Sequence, residues 1–295
     1  MTSGVAIDAI GPGRYDLGES PVWDERAGRL YWTDALHGRV HTATPTGRIE
    51  ASWQFPEGVG SFCLTASGTI LAACESSLVE LDPKSAEWDR VVAFGSEPGP
   101  TRLNDGKVAP DGSFVFGSMD RAEERPLGGA IRYTRERGVE RLGGRFVVFN
   151  GPCWSPDGTI FYASDSGPGR LLRCAYSPTG PLGEFETIAQ SDRPLEEGSF
   201  DGSTVDEDGC IWSSRIFGGR LTRFAPDGRI DREIPMPVRK PTSLCFGGDD
   251  LSILFVTSMG AQLQPRFPPD GELGGAIFAV RGLGVRGLPM RRFGG

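Results

Sequence analysis

Apolar residues alternate with polar ones in short runs, and each run ends in a turn former. Around Leu30-Tyr31-Trp32, Ile70-Leu71-Ala72, Phe114-Val115-Phe116, Ile160-Phe161-Tyr162, Ile211-Trp212 and Ile253-Leu254-Phe255 the runs are only four to seven residues long. They are rich in β-branched and aromatic side chains, which predicts strands. Nowhere does the 3.6-residue spacing of an amphipathic helix persist. A two-residue turn precedes each of these runs. The second turn residue falls at Gly28, Gly68, Gly112, Gly158, Gly209 and Asp250, at intervals of 40, 44, 46, 51 and 41 residues. A period of 40 to 50 residues with about four strands per unit predicts the blades of a β-propeller. A helical solenoid has a similar period but needs helical apolar spacing. The expectation is an all-β, six-bladed propeller whose four-stranded blades surround a central channel, occupying residues 1–295 as one domain.

Composition narrows the possibilities. The 43 glycines and 23 prolines are spread along the chain, as frequent tight turns require. A formal net charge of −8 argues against nucleic acid as a partner. No run approaches 18 consecutive apolar residues, so no membrane span is expected. The first residues show no charged leader followed by an apolar run, so a cytoplasmic location is expected. The six cysteines (63, 74, 153, 174, 210 and 245) have no metal-like or paired spacing and read as reduced, buried small residues.

Several chemistries are excluded by residue type. The two histidines, His37 and His41, share one hairpin and are expected at its exposed tip. No G-x-S-x-G elbow accompanies them, so a serine triad is not expected. The segment Gly282-Leu-Gly-Val-Arg-Gly287 fits a dinucleotide fingerprint in form only. It has no room for a βαβ unit and reads as a glycine-rich closing turn.

Oxygen-bearing side chains recur at the openings of the repeats. Glu19-Ser20-Pro21, Asn104-Asp105-Gly106, Asn150-Gly151 and Asp201-Gly202 each lie just before an innermost strand and are expected to form turns there. In a closed ring, Glu19, Asn104, Asn150 and Asp201 would point at one channel mouth. They offer hard oxygen donors and neither sulfur nor imidazole. That set suits Ca²⁺, Mg²⁺ or Mn²⁺ by ligand type, with Zn²⁺ possible by geometry.

These same stretches carry a resemblance. GESPVWDE from Gly18, RLNDGKVAPDGSFVFGSM from Arg102 and FNGPCWSPDGTIFYASDS from Phe149 are similar to segments of the SMP-30/gluconolactonase, or regucalcin-like, family of metal-dependent lactonases. So are FDGSTVDEDGCIWSSRIFGGRLTRFAPDG from Phe200, PTSLCFGGDDLSILFVTS from Pro241 and GGAIFAVRGLGVRGLP from Gly274. The resemblance implies a six-bladed propeller with one divalent cation held by Glu19, Asn150 and Asp201. It implies that Arg102 and Asn104 contact the substrate, a sugar lactone opened to its aldonic acid, and it places Glu123 among the substrate-facing residues. Asp201 would combine ligand and general base. Phe200 stands where the family usually has proline and Phe217 where it often has asparagine. These departures, with Arg121 and Arg215, bear on the pocket wall. Lys107 reads as a structural strand lysine. Another propeller hydrolase or lyase and a non-enzymatic cation-binding protein are the alternatives, and a monomer or weak homo-oligomer is expected.

Overall fold

The computed structural model describes residues 4–94, 99–260 and 270–294. It forms six four-stranded antiparallel sheets arranged as the blades of a propeller. Blade 1 runs through Gly18–Asp24, Arg29–Asp34, Arg39–Ala43 and Ile49–Gln54, and the next four blades repeat this order outward from the axis. Blade 6 is built differently. Pro241–Gly247, Ile253–Ser258 and Ile277–Arg281 supply three strands, and the N-terminal strand Ala6–Ile10 supplies the fourth. The first described strand thus closes the ring, pairing Ala6 to Arg281 and Ile10 to Ile277.

Burial explains the strand sequences. The innermost strands Val59–Leu64, Phe149–Trp154 and Pro241–Gly247 are buried at every residue, because a neighbouring blade covers each face. The outermost strands Ile49–Gln54 and Trp88–Ala93 contain no buried residue, because water meets one face and the edge. Between blades lie separate apolar clusters. One joins Phe62, Val59 and Ile70 of blade 2 to Val40 and Phe55 of blade 1. Another joins Trp154 and Phe161 of blade 4 to Val115 and Phe146 of blade 3. Burying a Phe or Leu side chain contributes about 1.5–3 kcal/mol, so stability is distributed around the ring.

Two expectations need correction. The oxygen-bearing residues do not sit in turns before the innermost strands. Glu19, Asn104, Asn150 and Asp201 lie inside Gly18–Asp24, Thr101–Val108, Phe149–Trp154 and Ser199–Val205. Each marks a place where pairing with the second strand slips, between Glu19 and Val22, Leu103 and Gly106, Asn150 and Cys153, and Phe200 and Ser203. A bulge serves here where a turn was expected, since it re-aims side chains without ending the strand. His41 is the second correction. It is buried in Arg39–Ala43, its ring stacked on Trp32 at 5.6 Å, and burial lowers its pKa to about 4. His37 does lie at the hairpin turn, exposed and 2.7 Å from Asp16. All six cysteines are free and buried. No described helix is long and apolar enough to cross a membrane.

Candidate functional site

The innermost strands carry the site. Each is the inner edge of its sheet, so carbonyls that face away from its own blade need other donors. Side chains from the preceding blade supply them. Ser61 Oγ donates to the Asn104 carbonyl (2.8 Å), Asn104 Nδ2 to the Phe149 carbonyl (2.9 Å) and Ser166 Oγ to the Phe200 carbonyl (2.6 Å). Ser214 Oγ donates to the Thr242 carbonyl, and Thr242 Oγ1 to the Gly18 carbonyl (2.5 Å). The Val59 amide completes the circle by donating to the Ala35 carbonyl of blade 1 (2.9 Å). Three of these held carbonyls, Gly18, Phe149 and Phe200, immediately precede Glu19, Asn150 and Asp201.

Asn104 and Asn150 are joined directly, with Asn104 Nδ2 donating to Asn150 Oδ1 at 2.8 Å. Arg102 Nη1 donates to Asn104 Oδ1 at 2.8 Å. Glu19 is half-buried, and its Oε2 accepts the Ser20 amide at 3.0 Å. Ser20 itself has φ of +49°, a conformation L-residues rarely take. Asp201 is buried on Ser199–Val205. Glu123, at φ +57° on the loop after Phe114–Asp120, directs its charge onto both Arg102 and Asp201. The ring therefore brings the six singled-out residues into one electrostatic neighbourhood.

Asp105 belongs to this group and was not singled out from the sequence. Its Oδ1 accepts the Gly106 amide and its Oδ2 the Gly151 amide, each at 2.8 Å. Two residues on, Lys107 Nζ donates to the Ser203 carbonyl at 2.7 Å. The sequence Asn104-Asp105-Gly106-Lys107 thus reaches the strands of Asn150 and Asp201 with three side chains.

The electrostatics are one-sided. Burial, followed by the negative charges of Asp201 and Asp105, holds Glu19 well above the usual carboxylate range. Burial, then Asp105, does the same for Asp201. Burial also raises Asp105, opposed by Lys107 and by the two amides it accepts. Burial lowers the Arg102 pKa. Among the described residues no three His, Cys, Asp or Glu side chains are grouped so that they alone could hold a metal ion. Both Asp105 oxygens are already occupied by amides. The oxygens that remain are the Glu19 and Asp201 carboxylates and the Asn150 amide oxygen, and their unbalanced negative charge fits a hard divalent cation.

The other flagged residues lie around this centre. Arg121 pairs with Glu75 at 2.9 Å, and both act electrostatically on Arg102. Arg215 is buried over the Phe200 ring at 4.1 Å and donates to the Gly198 carbonyl. Phe217 packs against Leu17, Ala35, Ile216 and Met259. From the opposite end of the channel a cavity of about 490 Å³ reaches up to Asp105 and Lys107, with Leu288–Arg291 along its wall.

Residues 17–260 match the model of the SMP-30/gluconolactonase/LRE-like region. The chain is 34% identical over 279 residues to a 6-deoxy-6-sulfogluconolactonase of Pseudomonas putida, covering 95% of each chain. It is 31% identical over 286 residues to an L-arabinolactonase of Azospirillum brasilense, covering 96% of this chain and 93% of that one. A crystal structure of a calcium-binding protein, regucalcin, from Agrobacterium tumefaciens superimposes with a TM-score of 0.87 at 26% identity, covering 99% and 97% of the two chains. The chain belongs to the SMP-30/gluconolactonase/LRE-like family.

Proposed function

We propose that the protein is a hydrolase that opens a sugar lactone to its aldonic acid, with one divalent cation held by Glu19, Asn150 and Asp201. The observation that carries this reading is the gathering of mutually repelling carboxylates beside an oriented amide oxygen on the innermost strands. The lactonase relatives support the reaction class, and the calcium-binding neighbour supports a cation. When bound, such an ion would polarise the ester carbonyl and acidify a water molecule.

The remaining steps fall to the chain itself. Asp201 would help hold the cation and would serve as the general base, accepting the proton of the attacking water. Arg102 offers fixed N–H donors to the oxygen on which negative charge develops, in surroundings dry enough to strengthen the interaction. Asn104 spends its amide on Arg102, Asn150 and Phe149, so it orients the arginine and the ligand strand together. Glu123, whose charge reaches both Arg102 and Asp201, would accept a sugar hydroxyl. Free buried thiols suit a reducing, cytoplasmic compartment.

The test is turnover on a panel of five- and six-carbon sugar lactones, followed after chelation and after adding back single divalent ions. Activity that survives exhaustive chelation would remove the cation from the proposal. A wholly inactive panel with tight cation binding would leave a binding protein in its place.

A further inference from the structure

We propose that Ser166 is a positioning residue that fixes which end of the Asn150 amide faces the cation site and ties that ligand to the strand carrying Asp201. The proposal rests on the reading of Asn150 and Asp201 as ligands.

Ser166 follows Ile160–Asp165 in blade 4, and its own backbone is held at both ends. Its amide donates to the Val148 carbonyl at 3.0 Å, and its carbonyl accepts from Ser199 Oγ at 2.5 Å. Its hydroxyl lies 2.6 Å from the Phe200 carbonyl and 2.8 Å from Asn150 Nδ2. A carbonyl oxygen accepts and cannot donate, so the Ser166 proton must point at Phe200. Toward Asn150 the same hydroxyl can then only accept. The Asn150 atom facing it must therefore be the NH₂ group, and Oδ1 must lie on the other side.

The opposite end of the chain is equally constrained. Arg102 has donors only, so the atom of Asn104 that meets its Nη1 at 2.8 Å is the carbonyl oxygen. The Asn104 NH₂ therefore faces Asn150 Oδ1 at 2.8 Å. From Arg102 through Asn104, Asn150 and Ser166 to the Phe200 carbonyl, every hydrogen bond runs in one direction. Both ends are groups that cannot reverse. The Asn150 oxygen thus keeps one lone pair on Asn104 and a second for a cation. Without Ser166 the Asn150 NH₂ loses its acceptor, and the peptide preceding Asp201 loses its donor.

Outer partners that orient metal ligands typically change affinity by about 10- to 100-fold when removed. The experiment titrates cation-free protein with Ca²⁺ alone by calorimetry and measures thermal midpoints in chelator. Ser166→Ala should weaken Ca²⁺ binding by about 10-fold or more, while Ser166→Thr, which keeps the hydroxyl, should restore it. Asn150→Ala is the reference. If Asn150→Ala loses affinity and Ser166→Ala does not, the positioning role is wrong and the ligand reading stands. If Asn150→Ala binds Ca²⁺ normally, the ligand reading fails and the proposal falls with it. Equal loss in Ser166→Ala and Ser166→Thr, with both midpoints lowered in chelator, would show a merely structural serine and overturn the proposal.

Discussion

Gly151 is the position where backbone geometry and the candidate site can be tested together. It has φ of +59°, and a methyl group built on it would lie 2.7 Å from the Asp201 carbonyl oxygen and 2.7 Å from Ser203 Oγ. Gly28 provides an internal comparison, since it has nearly the same conformation (φ +64°) with nothing within 4 Å of an added methyl. Gly28→Ala should therefore show only the left-handed backbone penalty, about 1–2 kcal/mol. Gly151→Ala carries that penalty plus overpacking against a neighbouring strand, about 1–3 kcal/mol more. At about 2–4 °C per kcal/mol for large domains, the first variant should melt a few degrees below the parent. The second should fall clearly further. The added contact strikes the carbonyl of Asp201 itself, so Gly151→Ala should also weaken Ca²⁺ binding, which Gly28→Ala should leave alone. Differential scanning calorimetry in chelator and Ca²⁺ titration of both variants make the comparison. Equal midpoint losses, or parental affinity in Gly151→Ala, would refute the claim that close approach of these two strands sets the ligand geometry.

Other expectations follow from the same geometry. Asp201→Asn keeps size but removes the base, and lactone turnover at saturating cation should fall by about 10²- to 10⁴-fold, read from initial rates. Glu19→Gln should weaken cation binding by calorimetry yet raise the melting point in chelator, because one of the mutually repelling carboxylates is gone. Glu19, Asp105 and Asp201 have folded pKa values above their unfolded ones, so the folded state binds more protons. Cation-free stability should therefore decline as pH rises above the usual carboxylate range, with saturating Ca²⁺ flattening that slope; a chelated midpoint that climbs as pH is raised there contradicts it. His41 acts oppositely, its stabilisation being lost as pH falls from 6.5 toward about 4. Arg223→Met strands the buried Asp206, which Arg223 meets at 2.8 Å, and should destabilise the fold by about 3–5 kcal/mol by denaturant unfolding.

The blades were legible because each announces itself locally: a turn glycine, then a short apolar strand covered on both faces. The convergence of Glu19, Asn104, Asn150 and Asp201 was legible because ring symmetry makes repeated placement meaningful, whereas the narrower set of Glu19, Asn150 and Asp201 came from the family resemblance. Asp105 was hidden inside a motif that reads as a turn, although it lies within a bulged strand. Ser166 was hidden because its importance is lateral, in bonds to blades 4 and 5 that no spacing along the chain encodes. His41 was misplaced since strand and hairpin tip differ by only a few residues. The contribution of Ala6–Ile10 to blade 6 leaves no local trace, because its partner lies more than 260 residues away.

That closing strand has a consequence for how the molecule comes into being. Ala6–Ile10 is the outer wall of a blade whose other strands, Pro241–Gly247, Ile253–Ser258 and Ile277–Arg281, all follow the five other blades in sequence. Until Ile277–Arg281 has emerged, Ala6–Ile10 has no sheet to join, and the emerging arc remains open between its first and sixth blades. Glu19 stands on one flank of that gap, while Asn150 and Asp201 stand farther round the arc. A chain without that pairing would still carry Glu19, Asn150 and Asp201 but lack the closed ring that gathers them, so the proposed ion capture should depend on ring closure.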